Sequence, residues 1–239
     1  MSLIFDGHDF GALFEYGDPE YKLLSSNVHQ ISSDSRNGNV VIGKTWGAAS
    51  LTLRLYINGT MEQRRERLSE LGRWLNVDEP KQLVVPDFPG CYFLAIPDGE
   101  VSTLRGFDGE VASLTFSIVD PIAYGEEKSI TVPSGGSISF NVGGTFRARP
   151  TITADAVRNA SSQVWGLRLD EGKYINIATG NASARAVSID CEERVSTVAG
   201  SVVLPTIDSD WLEFQPGEHT LRMENGTGAA TVTWRERWL

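Results

Sequence analysis

The chain has 239 residues, room for one large or two modest domains, and its 41% hydrophobic and 22% charged content is that of a folded globular protein rather than a disordered or collagenous one. Its 21 basic and 31 acidic side chains leave a formal charge of −10, which disfavours a protein built to grip a phosphate backbone. No stretch approaches the ~20 unbroken apolar residues of a membrane helix, and the first ten residues lack the basic-then-apolar order of a signal peptide. Synthesis and folding in a cytoplasm, with no membrane insertion, are expected.

In chain order, Phe5-Asp6-Gly7-His8-Asp9-Phe10 comes first. Asp6, His8 and Asp9 are the residue types of a metal site, but a short acidic run around glycine is more often a turn whose side chains cap backbone groups. Asn37-Gly38, Pro97-Asp98-Gly99, Asp108-Gly109 and Asn225-Gly226 tolerate the positive φ of tight turns and predict hairpins. Leu51, Leu53, Leu55 and Ile57 alternate with Thr52, Arg54 and Tyr56, as Ala112, Leu114, Phe116 and Ile118 do with Ser113, Thr115 and Ser117. Period two gives each run one buried face.

One segment has the other period. From residue 61 to 76, Met61, Leu68, Leu71, Trp74 and Leu75 share a helical stripe, with a mixed-charge face of Arg64, Arg65, Glu66, Arg67, Glu70 and Arg73. Thr60 and Gln63 have capping-box spacing, and Asn76 with Pro80 marks the end. The first part, residues 1–126, is therefore α+β: a sheet carrying one helix.

A strand ending at Asp120-Pro121 predicts a charged linker over Tyr124–Ser129 and a second domain over residues 127–239. There, apolar pairs and triplets such as Trp165, Leu167 and Leu169, or Val187, Ile189 and Cys191, recur between turn residues, the pattern of a β-sandwich. No fixed-period repeat or low-complexity tract is present. Acid is concentrated in the first part: residues 1–126 carry 10 basic and 18 acidic side chains, residues 127–239 carry 11 and 13.

Chemistry is hard to find in these residues. His8, His29 and His219 are the only histidines, and no serine or cysteine sits in a nucleophile motif. Cys91 and Cys191 read as reduced, buried, small apolar residues. Asp208 and Asp210 read as an ordinary loop, and adjacent Glu192 and Glu193 on a strand would point to opposite faces, which no glycosidase pair does. Trp74, Trp165 and Trp234 fall on apolar parities and predict core packing; Trp211 and Trp238 are less determined. The sequons at Asn58, Asn159, Asn181 and Asn225 read as turns, and Gly135-Gly136 lacks the lysine and helix of a phosphate cradle.

Read together, these landmarks resemble a known family. Phe5 to Phe10, Val40-Val41-Ile42-Gly43-Lys44-Thr45-Trp46-Gly47, the helix ending Trp74-Leu75, Leu83-Val84-Val85-Pro86-Asp87, Cys91 to Ala95, Leu114 to Tyr124 and Asn141 to Ile152 are similar, in order and spacing, to the distal tail proteins (Dit) of long, non-contractile-tailed bacteriophages. The resemblance implies a β-rich, ring-forming N-terminal domain with one helix, then a sandwich like galectins or carbohydrate-binding modules. It implies a homohexameric hub at the virion tail tip, between the major tail tube protein and a tail-associated fibre or lysin protein, with DNA and the tape-measure protein passing through. The residues themselves read as non-enzymatic, with no cofactor and no catalytic or metal residues expected, and ligand-binding residues are left open. The competing class is a carbohydrate- or receptor-binding adhesion protein; an endolysin-like hydrolase lacks its catalytic constellation. An acidic first domain lining the channel would repel DNA rather than bind it.

Overall fold

The computed structural model describes residues 2–23, 26–32, 37–105, 110–180 and 183–239. By its contacts the chain divides into two units, one running up to Ala123 and the other Tyr124–Trp238.

The first unit holds β1 (Ile4–Phe5), β2 (His8–Asp9), β3 (Glu15–Tyr16), β4 (Glu20–Lys22), β5 (Ser26–Ser32), β6 (Asn39–Trp46), β7 (Ala49–Ile57), α1 (Met61–Leu75), β8 (Lys81–Val84), β9 (Phe93–Arg105) and β10 (Glu110–Ile118). Its main sheet runs β2–β1–β8–β9–β10–β7–β3, with β4 also on β7, while β5 and β6 form a separate two-stranded ribbon. The alternating runs are the centre of that sheet: Leu51 faces Phe116, Leu53 faces Leu114 and Leu55 faces Ala112, and all six are at most 2% exposed. Each large side chain so buried is worth ~1.5–3 kcal/mol.

Helix α1 starts where the capping residues place it. Thr60 Oγ1 accepts the Gln63 N–H, and Gln63 Oε1 accepts the Thr60 N–H at 2.9 Å. Only its last turns press on the unit: Leu71 and Trp74 are buried, Trp74 edge-on to Phe10 and Phe14, whereas Met61, at the start of the expected stripe, is exposed.

Two expected hairpins are something else. Strand β9 runs straight through Pro97-Asp98-Gly99, because the register with β10 shifts there: Ser113 faces Ser102 but Thr115 faces Asp98. Gly99, at φ 79°, absorbs the bulge. Asn225-Gly226 leads between strands of different sheets, while Asn37-Gly38 leads into β6 of the β5–β6 hairpin, whose residues 33–36 lie outside the described residues. Asp108-Gly109 lies outside the described residues.

The second unit holds β11 (Ala123–Val132), β12 (Ser137–Val142), β13 (Thr151–Ala156), β14 (Val164–Leu169), β15 (Tyr174–Ala178), β16 (Arg185–Asp190), β17 (Val195–Val198), β18 (Ser201–Val202), β19 (Gly217–Asn225) and β20 (Ala230–Trp238). A six-stranded sheet, β11–β20–β13–β16–β17–β18, and a four-stranded one, β12–β19–β14–β15, supply a shared core that includes Trp165, Ile189, Leu221 and Trp234. This is the expected sandwich. The segment read as a linker is instead strand β11: Arg235 of neighbouring β20 donates to the Gly125 carbonyl and pairs with Glu127. Its charges sit on an edge strand, where alternating burial is not required.

Candidate functional site

The turn read at residues 6–9 is a tight hairpin turn between β1 and β2, with Asp6 at φ 48° and Gly7 at φ 80°. Asp9 Oδ1 accepts the Gly11 N–H at 2.8 Å, and the His8 ring stacks on Trp74 with centroids 4.9 Å apart. The Asp9 and His8 side chains thus serve two separate local contacts, and Asp6 serves the turn through its backbone. Among the described residues no group of three or more His, Cys, Asp or Glu side chains is placed to hold a metal, and no helix is long and apolar enough to cross a membrane.

In the second unit, Asp208 accepts the Tyr174 O–H at 2.7 Å, a bond that holds its carboxyl below the usual range, while the Asp210 N–H donates to the Tyr174 carbonyl. Glu192 and Glu193 are not on a strand. They lie in the turn after β16, where Asp190 Oδ1 accepts both their N–H groups, and Glu192 binds Arg149 and Arg237. Cys191 is buried, which pushes its thiol up to about 12, and Cys91 is half-buried; neither forms a disulfide.

The tryptophans divide as their parity predicts. Trp74, Trp165 and Trp234 are buried, and Trp211 and Trp238 are half-buried, Trp211 against the sandwich core. Trp46 is the exception, 36% exposed on β6 with Lys44 Nζ 4.2 Å from its ring centroid. Asn159 Oδ1 accepts the N–H groups of Ser161 and Ser162, and Asn225 donates to Asn176 Oδ1. The Asn58 carbonyl accepts from Arg67, and Asn181 lies outside the described residues.

One open cleft of about 490 Å³ lies beside β12 and β19, lined by Ser139, Phe140, Asn141, Asp170, Glu218, His219 and Thr220. Its polar groups are largely tied to one another. His219 Nε2 donates to the Gln215 carbonyl at 2.7 Å and Nδ1 meets Asp170 Oδ2 at 2.8 Å. Burial works to raise the Asp170 carboxyl, but the Thr220 N–H and His219 outweigh it and leave it lowered.

The surface least explained by folding is the β5–β6 ribbon. Val28, Ile31, Val40, Val41, Ile42 and Trp46 are between 36% and 63% exposed, and every described residue of β5 is exposed. A lone hairpin is marginal in water, and an exposed apolar patch marks an interaction site. The consecutive Val40-Val41-Ile42 was a legible signal, since side chains alternate and three in a row place apolar groups on both faces.

The sequence model for the siphovirus-type tail component, C-terminal domain, matches residues 143–238. The distal tail protein of Bacillus phage SPP1 is 25% identical over 257 aligned residues, spanning 100% of this chain and 96% of that protein. The crystal structure of SPP1 Dit (gp 19.1), described as a paradigm of hub adsorption apparatus in Gram-positive infecting phages, is similar with a TM-score of 0.80 at 20% identity, covering 100% of this chain and 99% of that one.

Proposed function

We propose, from the premise that this chain belongs to the siphovirus distal tail protein family, that its copies close into a hexameric ring forming the hub of a phage tail tip. The observation that carries the ring is the β5–β6 ribbon. Its apolar side chains stay 36–63% exposed in the single chain, and a ring in which each copy offers one patch to the next would cover them without leaving open ends. The ring joins the major tail tube protein to a tail-associated fibre or lysin protein, and DNA and the tape-measure protein pass through it.

The role is structural rather than enzymatic. The acidic first part, with 10 basic and 18 acidic side chains, suits a channel that lets DNA slide, because fixed negative charge repels phosphate over the ~8 Å screening length of physiological salt. The competing carbohydrate reading loses two of its stacking platforms, since Trp165 and Trp234 of the sandwich are spent on packing.

Light scattering coupled to gel filtration at micromolar concentration tests the ring: a mass of six chains is expected, and a monomer at every concentration and salt sinks the hub reading. The protein is expected not to retard duplex DNA on a gel at low salt, and tight binding overturns the repulsive channel.

A further inference from the structure

We propose that the side of the sandwich where the chain passes from β18, the last strand of the six-stranded sheet, to β15 of the four-stranded one, and where Val195, Val202, Leu204 and Ile207 are exposed, docks a different tail protein through an apolar recess bordered by Lys and Arg. The tail-hub reading enters only as the place where that partner is met.

This side is built to show apolar side chains outward. Thr197 faces Val202 in the β17–β18 ladder, and the Val203 N–H donates to the Ser196 carbonyl, so the same register sets Leu204 opposite Val195. Ser196 and Val198 point into the core, which turns Val195, Val202 and Leu204 to the outer face, 43%, 72% and 80% exposed. Apolar groups turned outward there, one on β17, one on β18 and one just past it, gain nothing from the fold itself.

Ile207 stands further out, fully exposed at the tip of a turn that is not loose. The Thr206 N–H donates to the Asn176 carbonyl, Ser209 bonds back to Thr206 and takes the Asn176 N–H on its Oγ, and Tyr174 holds both Asp208 and Asp210. The side chain is therefore displayed on a fixed support, and a partner that takes it pays little ordering entropy for this loop. A preformed apolar projection of this kind fits a recess, as interface anchors do.

Charge selects among occupants. From residue 190 to 210 the chain carries Asp190, Glu193, Asp208 and Asp210 against Arg194, with Glu192 already paired to Arg149 and Arg237. A second copy would bring the same acidic border to the contact, and like charges across an interface disfavour it. A partner with a basic border is attracted.

The test uses assembled tails carrying Ile207→p-benzoyl-phenylalanine, irradiated and analysed by mass spectrometry, with the photoreactive residue at exposed Glu171 as the control. An adduct to another tail protein, at a site with Lys or Arg in its flanking residues, is expected. In tails whose photoreactive residue at position 207 is accompanied by Leu204→Asp and Val202→Asp, that adduct falls ~tenfold or more. An adduct to a second copy, or none above the Glu171 control, overturns the inference. Ring mass measured on the same proteins separates the two readings: rings without the adduct sink this inference alone, and protein that never forms rings sinks the hub reading with it.

Discussion

Glu213 accepts Arg149 Nε at 3.0 Å while Arg147 Nη1 lies 3.5 Å from the same carboxylate, and Arg149 in turn reaches Glu192. The Arg149 and Glu213 side chains are 21% and 17% exposed, so the pair is only partly screened by water. Burial pushes the Glu213 carboxyl up, but the arginines overcome it and hold the acid below its ordinary 4.5. Folded protein therefore binds this proton less readily than unfolded chain does, and the stability it contributes is complete above pH 4.5 and lost as acid titrates the folded group. Asp170 and Glu224 are lowered too and act in the same direction. We expect a thermal midpoint that is flat near neutrality and falls below about pH 4.5. Glu213→Gln should cost about 2 kcal/mol at pH 7, with the gap to wild type narrowing in acid. A gap that widens on acidification contradicts the assignment.

Much of the fold could be read from the sequence because two signals coincide where they are strong. Leu51 to Ile57 and Ala112 to Ile118 keep strict alternation and pair across their full length, and Thr60 with Gln63 fixes the helix start from four residues. Reading failed where local chemistry admits two outcomes. Asp98-Gly99 supplies a positive φ equally to a hairpin or a bulge, and only the pairing of β9 with β10 decides. The Tyr124–Ser129 segment has linker composition, yet pairing with β20 makes it strand. The outward Val202, Leu204 and Ile207 were passed over because nothing local distinguishes an apolar residue facing solvent from one facing a core.

Thr60→Ala should destabilise the first unit by ~1 kcal/mol, because it removes the acceptor for the Gln63 N–H at an exposed helix start where water replaces it only in part. Thr60→Ser keeps the oxygen and should cost a fraction of that. Chemical denaturation monitored by circular dichroism measures both, and equal losses in the two variants would show that the hydroxyl bond is not the cause.

The two thiols should differ in reactivity by orders of magnitude. Cys191 is 1% exposed with its thiol pushed up to about 12, so at neutral pH it offers almost no thiolate, whereas Cys91 is half-buried. A thiol-specific reagent on native protein should label Cys91 first and Cys191 only at the rate of unfolding, with equal labelling in denaturant. Early modification of Cys191, located by peptide mass, would mean that the β16 end opens far more easily than its packing implies.

The ribbon makes the ring testable without disturbing the chain's own core. His29 faces Gly43 but Gln30 faces Val41, so Ile42 is the extra residue of a bulge in β6 and is 63% exposed; Val41 beside it is 61% exposed. Both side chains are mostly exposed within one copy and lie off the chain's core, so Val41→Asp and Ile42→Asp should each shift stability by only ~0.5 kcal/mol. Across a ring contact the same substitutions bury a carboxylate among apolar groups, and because every copy carries them the penalty repeats at every interface. We expect the double variant to unfold at the wild-type midpoint and to run as a monomer in gel filtration with light scattering. Rings of unchanged mass would remove the ribbon from the interface, and a large drop in midpoint would show instead that the ribbon is held by its own unit.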